Sequence, residues 1–218
     1  IVSLNYDFTG GPTQNPGAFS GTPTPVPVFP ATLPTISASA GPTGSNVVQS
    51  SIGLGVQSLL GGAFNLGDEG YTGNVIADIA TGSAVVDAQG WLISNGISET
   101  LSLTFNNTDP NVINTIVTGV TLGFLDIDSA TDIEVLLTNG MGTSSIGVFD
   151  FPGSGLGAGF LSLHIPINNG DILSFRALGD IFTDSNAFSV YSLQVQADVV
   201  PEPASLAVWG LTMAAAVV

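Results

Sequence analysis

The chain has 218 residues, and its 17 acidic residues face a single basic residue, Arg176, which gives a formal charge of −16 at pH 7. Binding of nucleic acid needs clustered lysine and arginine to neutralise phosphates, so this balance excludes it and also argues against electrostatic docking on anionic lipid. The absence of cysteine excludes thiol catalysis and zinc–thiolate sites, and the length suits one sizeable β domain with tails.

The first residues of the chain alternate between apolar and polar side chains. The apolar positions are Val2, Leu4, Tyr6 and Phe8. A period of two over this length predicts a half-buried strand. We therefore take residues 1–10 as an N-terminal strand.

A proline-rich segment, residues 11–35, follows the first strand. Proline cannot donate a hydrogen bond to a sheet ladder, so this segment is poor material for the interior of a sheet. Two interpretations fit the composition. The segment is an extended tether that reaches about 3 Å per residue, or it is a long ordered loop that lies over the domain.

Residues 36–199 predict the body of the fold, because short apolar runs alternate there with glycine and small polar residues. Turn signals lie at Asn95-Gly96, Asp109-Pro110, Asn139-Gly140 and Asn169-Gly170. Closely spaced strands without a convincing amphipathic helix between them indicate an all-β antiparallel β-sandwich or jelly roll. The predicted strands are near Val47–Val56, Asn74–Ile79, Ser83–Ile93, Glu99–Asn106, Val112–Phe124, Asp132–Leu137, Ile146–Phe151, Gly159–Ile165, Asp171–Leu178 and Ala187–Val199.

Two of these strands have the clearest inward faces. One alternation consists of Leu101, Leu103 and Phe105, and the other of Tyr191, Leu193, Val195 and Ala197. Both have the period that a strand buried on one side requires. We expect these side chains to form part of the core.

An acidic cluster lies between two of the predicted strands. It contains Asp126, Asp128 and Asp132, and Glu134 follows. Calcium binds six to eight oxygen ligands, and a turn with several carboxylates can supply them, although the spacing differs from an EF-hand loop. A calcium site and a simple solvated turn are both open interpretations, and calcium is the one cofactor that the sequence suggests.

The sequence offers little for catalysis. His164, the only histidine, lies on a predicted strand without the neighbours of a catalytic triad, and a surface or strand-edge position is expected for it. Arg176 is expected to pair with a nearby carboxylate, because an isolated buried charge is costly. We expect no enzymatic activity.

The segment 200–218 differs from the rest of the chain. Residues Ala204 to Val218 carry no charge and are rich in alanine, leucine and valine, which favours a short hydrophobic helix. At 1.5 Å per residue this helix would be roughly 22 Å long. A bilayer core is about 30 Å thick and takes about 20 helical residues to cross, so this helix is too short to span it. Any membrane contact is expected to occur through this tail alone.

The triplet Pro201, Glu202 and Pro203 with the apolar run behind it resembles the PEP-CTERM sorting signal. The resemblance covers about the last twenty residues, and the basic cluster that closes the family's signal has no counterpart among the 218 residues. It implies a secreted protein at the outer surface of a Gram-negative bacterium that makes exopolysaccharide, and an exosortase as processing enzyme. An export signal at the start of the chain is expected to have been removed already.

These observations favour an extracellular structural protein of a bacterial surface or biofilm matrix. Copies of the protein are the expected partner, and residues 1–8 could add as a strand to the sheet of a neighbouring copy, with Val2, Leu4, Tyr6 and Phe8 filling alternate pockets. The alternative is a lectin-like module that binds exopolysaccharide. No sugar-binding residue can be assigned, although Trp91 and Tyr71 are aromatic candidates.

Overall fold

The computed structural model describes residues 1–11, 13–24, 32–41, 45–51, 53–57, 76–79, 84–86, 92–94, 97–98, 100–126, 131–151, 159–178 and 187–200. In this part of the chain all regular structure is β-strand. The strands are β1 (Val2–Asp7), β2 (Thr13–Gln14), β3 (Phe19–Ser20), β4 (Thr22–Thr24), β5 (Thr35–Gly41), β6 (Asn46–Ser50), β7 (Gly53–Gln57), β8 (Ile76–Ile79), β9 (Ala84–Val86), β10 (Leu92–Ser94), β11 (Ile97–Ser98), β12 (Thr100–Asn106), β13 (Val112–Asp126), β14 (Thr131–Asn139), β15 (Gly142–Phe151), β16 (Gly159–Ile167), β17 (Ile172–Leu178) and β18 (Ala187–Val199).

The strands form an antiparallel β-sandwich, which confirms the predicted fold class. The back sheet has six strands in the order β15-β14-β17-β12-β5-β3. The front sheet has ten strands: β1, β2, β4, β6, β7, β8, β11, β13, β16 and β18. Strands β9 and β10 pair with each other. The inner faces of both sheets share one hydrophobic cluster.

Strand β18 organises the front sheet. Along one side it pairs with β13, from the pair Val112–Val199 to the pair Asp126–Ala187. Three strands share its other side: β8 pairs at Ala187 and Phe188, β7 at Val190, and β1 from Ser192 to Ala197. One long strand thus holds together segments that are far apart in the sequence.

The predicted inward faces are confirmed with one exception. Leu101, Leu103 and Phe105 are buried, and so are Leu193, Val195 and Ala197, but Tyr191 is 41% exposed. The ladder between β13 and β18 shifts register beside Tyr191. The extra residue of such a bulge reverses the alternation of the strand, and it turns the tyrosine ring away from the core.

The predicted strand Val47–Val56 is wrong in one respect, because it is two strands. Strands β6 and β7 form a hairpin that closes at the pair Ser50–Gly53. Gly53 has a φ of +105°, and a Cβ there would lie 2.4 Å from the carbonyl oxygen of Val190. Only glycine fits both the backbone conformation and the close approach of β18.

The segment that follows the first strand pairs with the sandwich through three short strands. Strand β2 pairs with β6, β3 pairs with β5 of the back sheet, and β4 pairs with β1. Residues 13–24 therefore follow the interpretation of an ordered segment lying over the domain. Residues 25–31, which include three of the prolines, are outside the described part.

Candidate functional site

The predicted N-terminal strand is confirmed, and it lies inside the front sheet of its own chain. Strand β1 pairs with β18 from Val2–Ala197 to Asp7–Ser192, and its other side pairs with β4. Its burial alternates strictly along the strand. The four apolar side chains Val2, Leu4, Tyr6 and Phe8 all lie in the core. Addition of this strand to a neighbouring copy stays a prediction.

Tyr6 fixes the strand with a polar contact inside the core. Its side chain is fully buried, and its hydroxyl donates a hydrogen bond of 2.7 Å to the carbonyl oxygen of Pro34. Burial raises the pKa of the Tyr6 hydroxyl above its ordinary value. Gly21 passes over this ring, since a Cβ at Gly21 would lie 2.9 Å from it. The position of β1 in the sheet is therefore fixed by a buried side chain and one buried hydrogen bond.

The outer face of the front sheet carries a shallow groove across β4, β1, β18 and β13. The groove has a volume of about 290 Å³ and no charged residue in its lining. Ser3 lies opposite Thr24 and Gln196, while Asn5 lies opposite Thr22 and Gln194. These six exposed side chains form two rows of hydroxyl and amide groups, Ser3, Asn5, Thr22, Thr24, Gln194 and Gln196.

The six side chains of these rows are free, whereas Thr118, which also lines the groove, donates its hydroxyl to the carbonyl oxygen of Gln194. None of the six side chains makes a hydrogen bond within the described part of the chain. On the back sheet the hydroxyls of Ser102 and Ser174 lie 2.8 Å apart, and those of Thr138 and Thr143 lie 2.7 Å apart. The six side chains of the front groove are therefore open to a ligand or to water.

Strand β15 is the outermost strand of the back sheet and has only β14 as a neighbour among the described residues. Its exposed side chains include Ile146 at 40% and Val148 at 52%, and Met141 in the preceding turn is 94% exposed. The ladder shifts register at Ile146, which makes that residue the extra one of a bulge. Every second residue of an edge strand directs its N–H and C=O away from the sheet.

The single basic residue of the chain is paired, as expected. Arg176 on β17 lies opposite Glu134 on β14, and their side chains form an ion pair on the outer face of the back sheet. The Glu134 side chain is only 12% exposed, and that of Arg176 is 39% exposed. The Nε of Arg176 is buried and has no hydrogen-bond partner among the described residues. The pair neutralises a charge that would otherwise be costly in this position.

The predicted calcium ligands cannot be placed together. Asp128 lies outside the described residues, as do the side chains of Asp126 and Asp132. In the described part of the chain no group of three or more acidic, histidine or cysteine side chains could hold a metal. Calcium binding stays a prediction. His164 lies on β16, an edge strand of the front sheet, and is exposed, as expected.

Other predicted residues lie outside the described part as well. These are Pro201, Glu202 and Pro203 of the sorting-signal resemblance, the apolar segment 204–218, and the aromatic candidates Trp91 and Tyr71. Over the residues that are described, no helix is long and apolar enough to cross a membrane.

The sequence interpretation missed both the polar groove and the full length of β15. The groove combines strands from opposite ends of the chain, so no local pattern could reveal it. Strand β15 was predicted only from Ile146, but it begins at Gly142. The signal was present, since the turn Asn139-Gly140 precedes a run without charge or proline up to Phe149.

Known proteins give no guide to these surfaces. No protein-family model matches the chain, and no curated protein and no solved structure is significantly similar to it. The function is therefore inferred from the residues and their geometry.

Proposed function

We propose that this protein is an extracellular structural component of a bacterial surface or biofilm matrix, and that it assembles from copies of itself. In this proposal the molecule is secreted by a Gram-negative bacterium, and the segment around Pro201, Glu202 and Pro203 acts as a PEP-CTERM-like signal for an exosortase. It performs no catalysis. Copies are joined when β1 of one molecule takes the β1 position of the next.

One observation carries the proposal: β1 is inserted between β18 and β4 of the front sheet. It is hydrogen-bonded on both sides, and its four inward side chains fill core positions. Strand addition needs these two properties, because backbone pairing supplies affinity and alternate pockets supply specificity. An identical strand from a neighbour would restore every contact.

The connection after β1 can change direction at two glycines, although this breaks the hydrogen bond from the Gly10 N–H to the carbonyl oxygen of Ser50. Gly10 and Gly11 follow the strand, and glycine accepts backbone conformations that other residues do not. Exchange of an identical element between copies is a low-cost route to assembly, since the same contacts are formed within or between molecules. The groove on the outer face has no charged residue in its lining. Electrostatic repulsion between copies is therefore weaker there than at a charged surface.

A disulfide trap tests this exchange directly, because the chain has no native cysteine. Ser3 and Gln196 are register partners on the outer face, and directly opposed strand residues have the Cα separation that a disulfide requires. We expect oxidation of the Ser3→Cys/Gln196→Cys protein, after assembly, to give a ladder of covalently linked chains on a non-reducing gel.

The matched control is Ser102→Cys/Ser174→Cys on the back sheet. These residues also lie opposite each other, but neither strand takes part in the proposed exchange. The control should give monomers only under the same oxidation. If the Ser3/Gln196 pair also gives only monomers while electron microscopy shows polymers, exchange of β1 is excluded as the joining contact.

The polar groove favours a second candidate function, the binding of exopolysaccharide. Hydroxyl and amide side chains can both donate and accept hydrogen bonds, as the hydroxyls of a sugar chain do. The groove carries no charge, and the protein as a whole is strongly acidic. These features suit a neutral polysaccharide better than an acidic one.

Glycan binding can be measured on a panel of neutral glucans and uronic acid polymers. We expect the neutral polymers to bind, and the Asn5→Ala/Gln194→Ala protein to lose at least most of that binding. Ser39→Ala, an exposed change on the back sheet, is the control. Equal binding by the wild type and the groove variant would remove this candidate.

A further inference from the structure

We propose that β15 pairs, antiparallel and about a two-fold axis, with β15 of a second copy of this chain, which joins two back sheets into one continuous sheet. This inference rests on the proposed assembly from copies. It adds a contact that is separate from the position of β1 between β18 and β4. The two surfaces lie on different sheets, so each can be tested without the other.

Strand β15 differs from the other outer strands that the structure describes. Strands β2, β3 and β11 have only two residues each, and β4 has three. Strand β16 is longer, but it contains Pro166, which has no N–H to donate. Strand β15 has ten residues. It is therefore the long outer strand with a full set of backbone donors.

The usual protections of an open edge are nearly absent from β15. Proteins blunt edges with lysine, proline, inward charges, bulges or short strands. Residues 142–149 contain neither proline nor charge, and Ile146 and Val148 are exposed. The bulge at Ile146 and the charge of Asp150 near the end of the strand are its protective devices, and they leave uncharged regular strand at residues 143–145 and 147–149.

The charge distribution favours a second copy as the occupant. Two molecules that each carry −16 repel each other, so they approach best through a surface without charge. Antiparallel pairing about a two-fold axis sets the uncharged run 142–149 against itself. The contact is isologous, which is the commonest arrangement in soluble oligomers. Added salt should strengthen it, because salt screens the remaining repulsion.

The first test places a charge on the strand. Ser145→Lys adds an ammonium to the edge of the full-length protein, opposite Leu136 and away from any acidic register partner, and Ser162→Lys adds the same charge at an exposed position on β16. In the proposed geometry the two added ammonium groups face each other near the axis, and like charges directly opposite destabilise a strand pair, so we expect Ser145→Lys to raise the concentration of half-association by a factor of about five or more in sedimentation velocity. Ser162→Lys should leave it unchanged.

The second test determines the geometry with single cysteines at each position from 143 to 149. About a two-fold axis only the residues near the axis face their own copies, so disulfide dimers should form at one or two adjacent positions and fall away on both sides. Dimers at every position would indicate parallel stacking and would overturn the proposed geometry.

The outcomes separate the two proposals. If the wild type associates and Ser145→Lys associates equally well, the β15 contact is wrong and the proposed function survives. If the wild type stays monomeric at all concentrations and by electron microscopy, the proposed function fails as well. Circular dichroism of each variant shows whether a loss of association reflects unfolding.

Discussion

The buried hydroxyl of Tyr6 allows a quantitative test of how β1 is held in the front sheet. Tyr6→Phe removes the donor to the carbonyl oxygen of Pro34 and leaves that acceptor without its partner in the core. A loss of this kind costs about 1–2 kcal/mol of the free energy of unfolding. For a protein of this size we expect the melting temperature to fall by about 2–8 °C at pH 7.

The effect of Tyr6→Phe should also depend on pH. Burial raises the pKa of Tyr6 in the folded protein, while an unfolded tyrosine titrates near pH 10. The unfolded chain therefore loses this proton first as the pH rises, so the stability is complete below about pH 10 and declines above it. By pH 11 the decline amounts to about 1.4 kcal/mol.

The phenylalanine variant lacks this titration, so the two stability curves should converge. Urea unfolding at pH 7, 9, 10 and 11 would measure the wild type and Tyr6→Phe under matched conditions. Titrations of all other groups are common to both proteins and cancel in the difference. Parallel curves from pH 7 to pH 11 would refute the assignment of Tyr6 as a buried, neutral donor.

Three further substitutions test the packing of the sandwich and of β1, each by its effect on the free energy of unfolding in urea. Leu4→Ala should cost about 2–5 kcal/mol, since it leaves a cavity in a fully packed position. Gly53→Ala should cost about 2 kcal/mol or more, because its Cβ would meet the carbonyl of Val190 at a positive φ. Arg176→Met should cost about 1–3 kcal/mol, because the nearly buried carboxylate of Glu134 loses its ion-pair partner.

Each of these changes has a matched control. Ser3→Ala, on the exposed side of β1, should stay within about 0.5 kcal/mol of the wild type. Gly140→Ala should be equally mild, because nothing lies within 4 Å of a Cβ there and its φ is not positive. Glu134→Leu combined with Arg176→Met should regain much of the loss, because both charges are then absent. A double variant as unstable as Arg176→Met alone would contradict this explanation.

The sequence predicts the parts of this fold that depend on local periodicity. The alternation of Leu101, Leu103 and Phe105 is enough to define β12 and its inward face. The boundaries of β18 were predicted as Ala187–Val199, and the structure has the same ones. In β12, each residue's environment follows from its own parity along the strand.

Features that depend on a partner strand could not be predicted in this way. Tyr191 has the right parity for the core, yet a register shift against β13 turns it outward. Gly53 ends one strand and starts another because β18 approaches it closely, and that approach is not visible locally. The position of β1 beside β18, and with it the polar groove, joins residues that are nearly 200 positions apart in sequence.

The position of β18 also has a consequence for when the molecule can fold. Strands β1, β7 and β8 can complete their pairing only with β18, whose partner residues lie about 110 to 195 positions later in the chain. Until β18 has been synthesised, the backbone groups of these strands have no ladder on that side. The front sheet can therefore be completed only after this one strand has been synthesised. A chain that ends before residue 187 would leave β1, β7 and β8 without their shared partner strand.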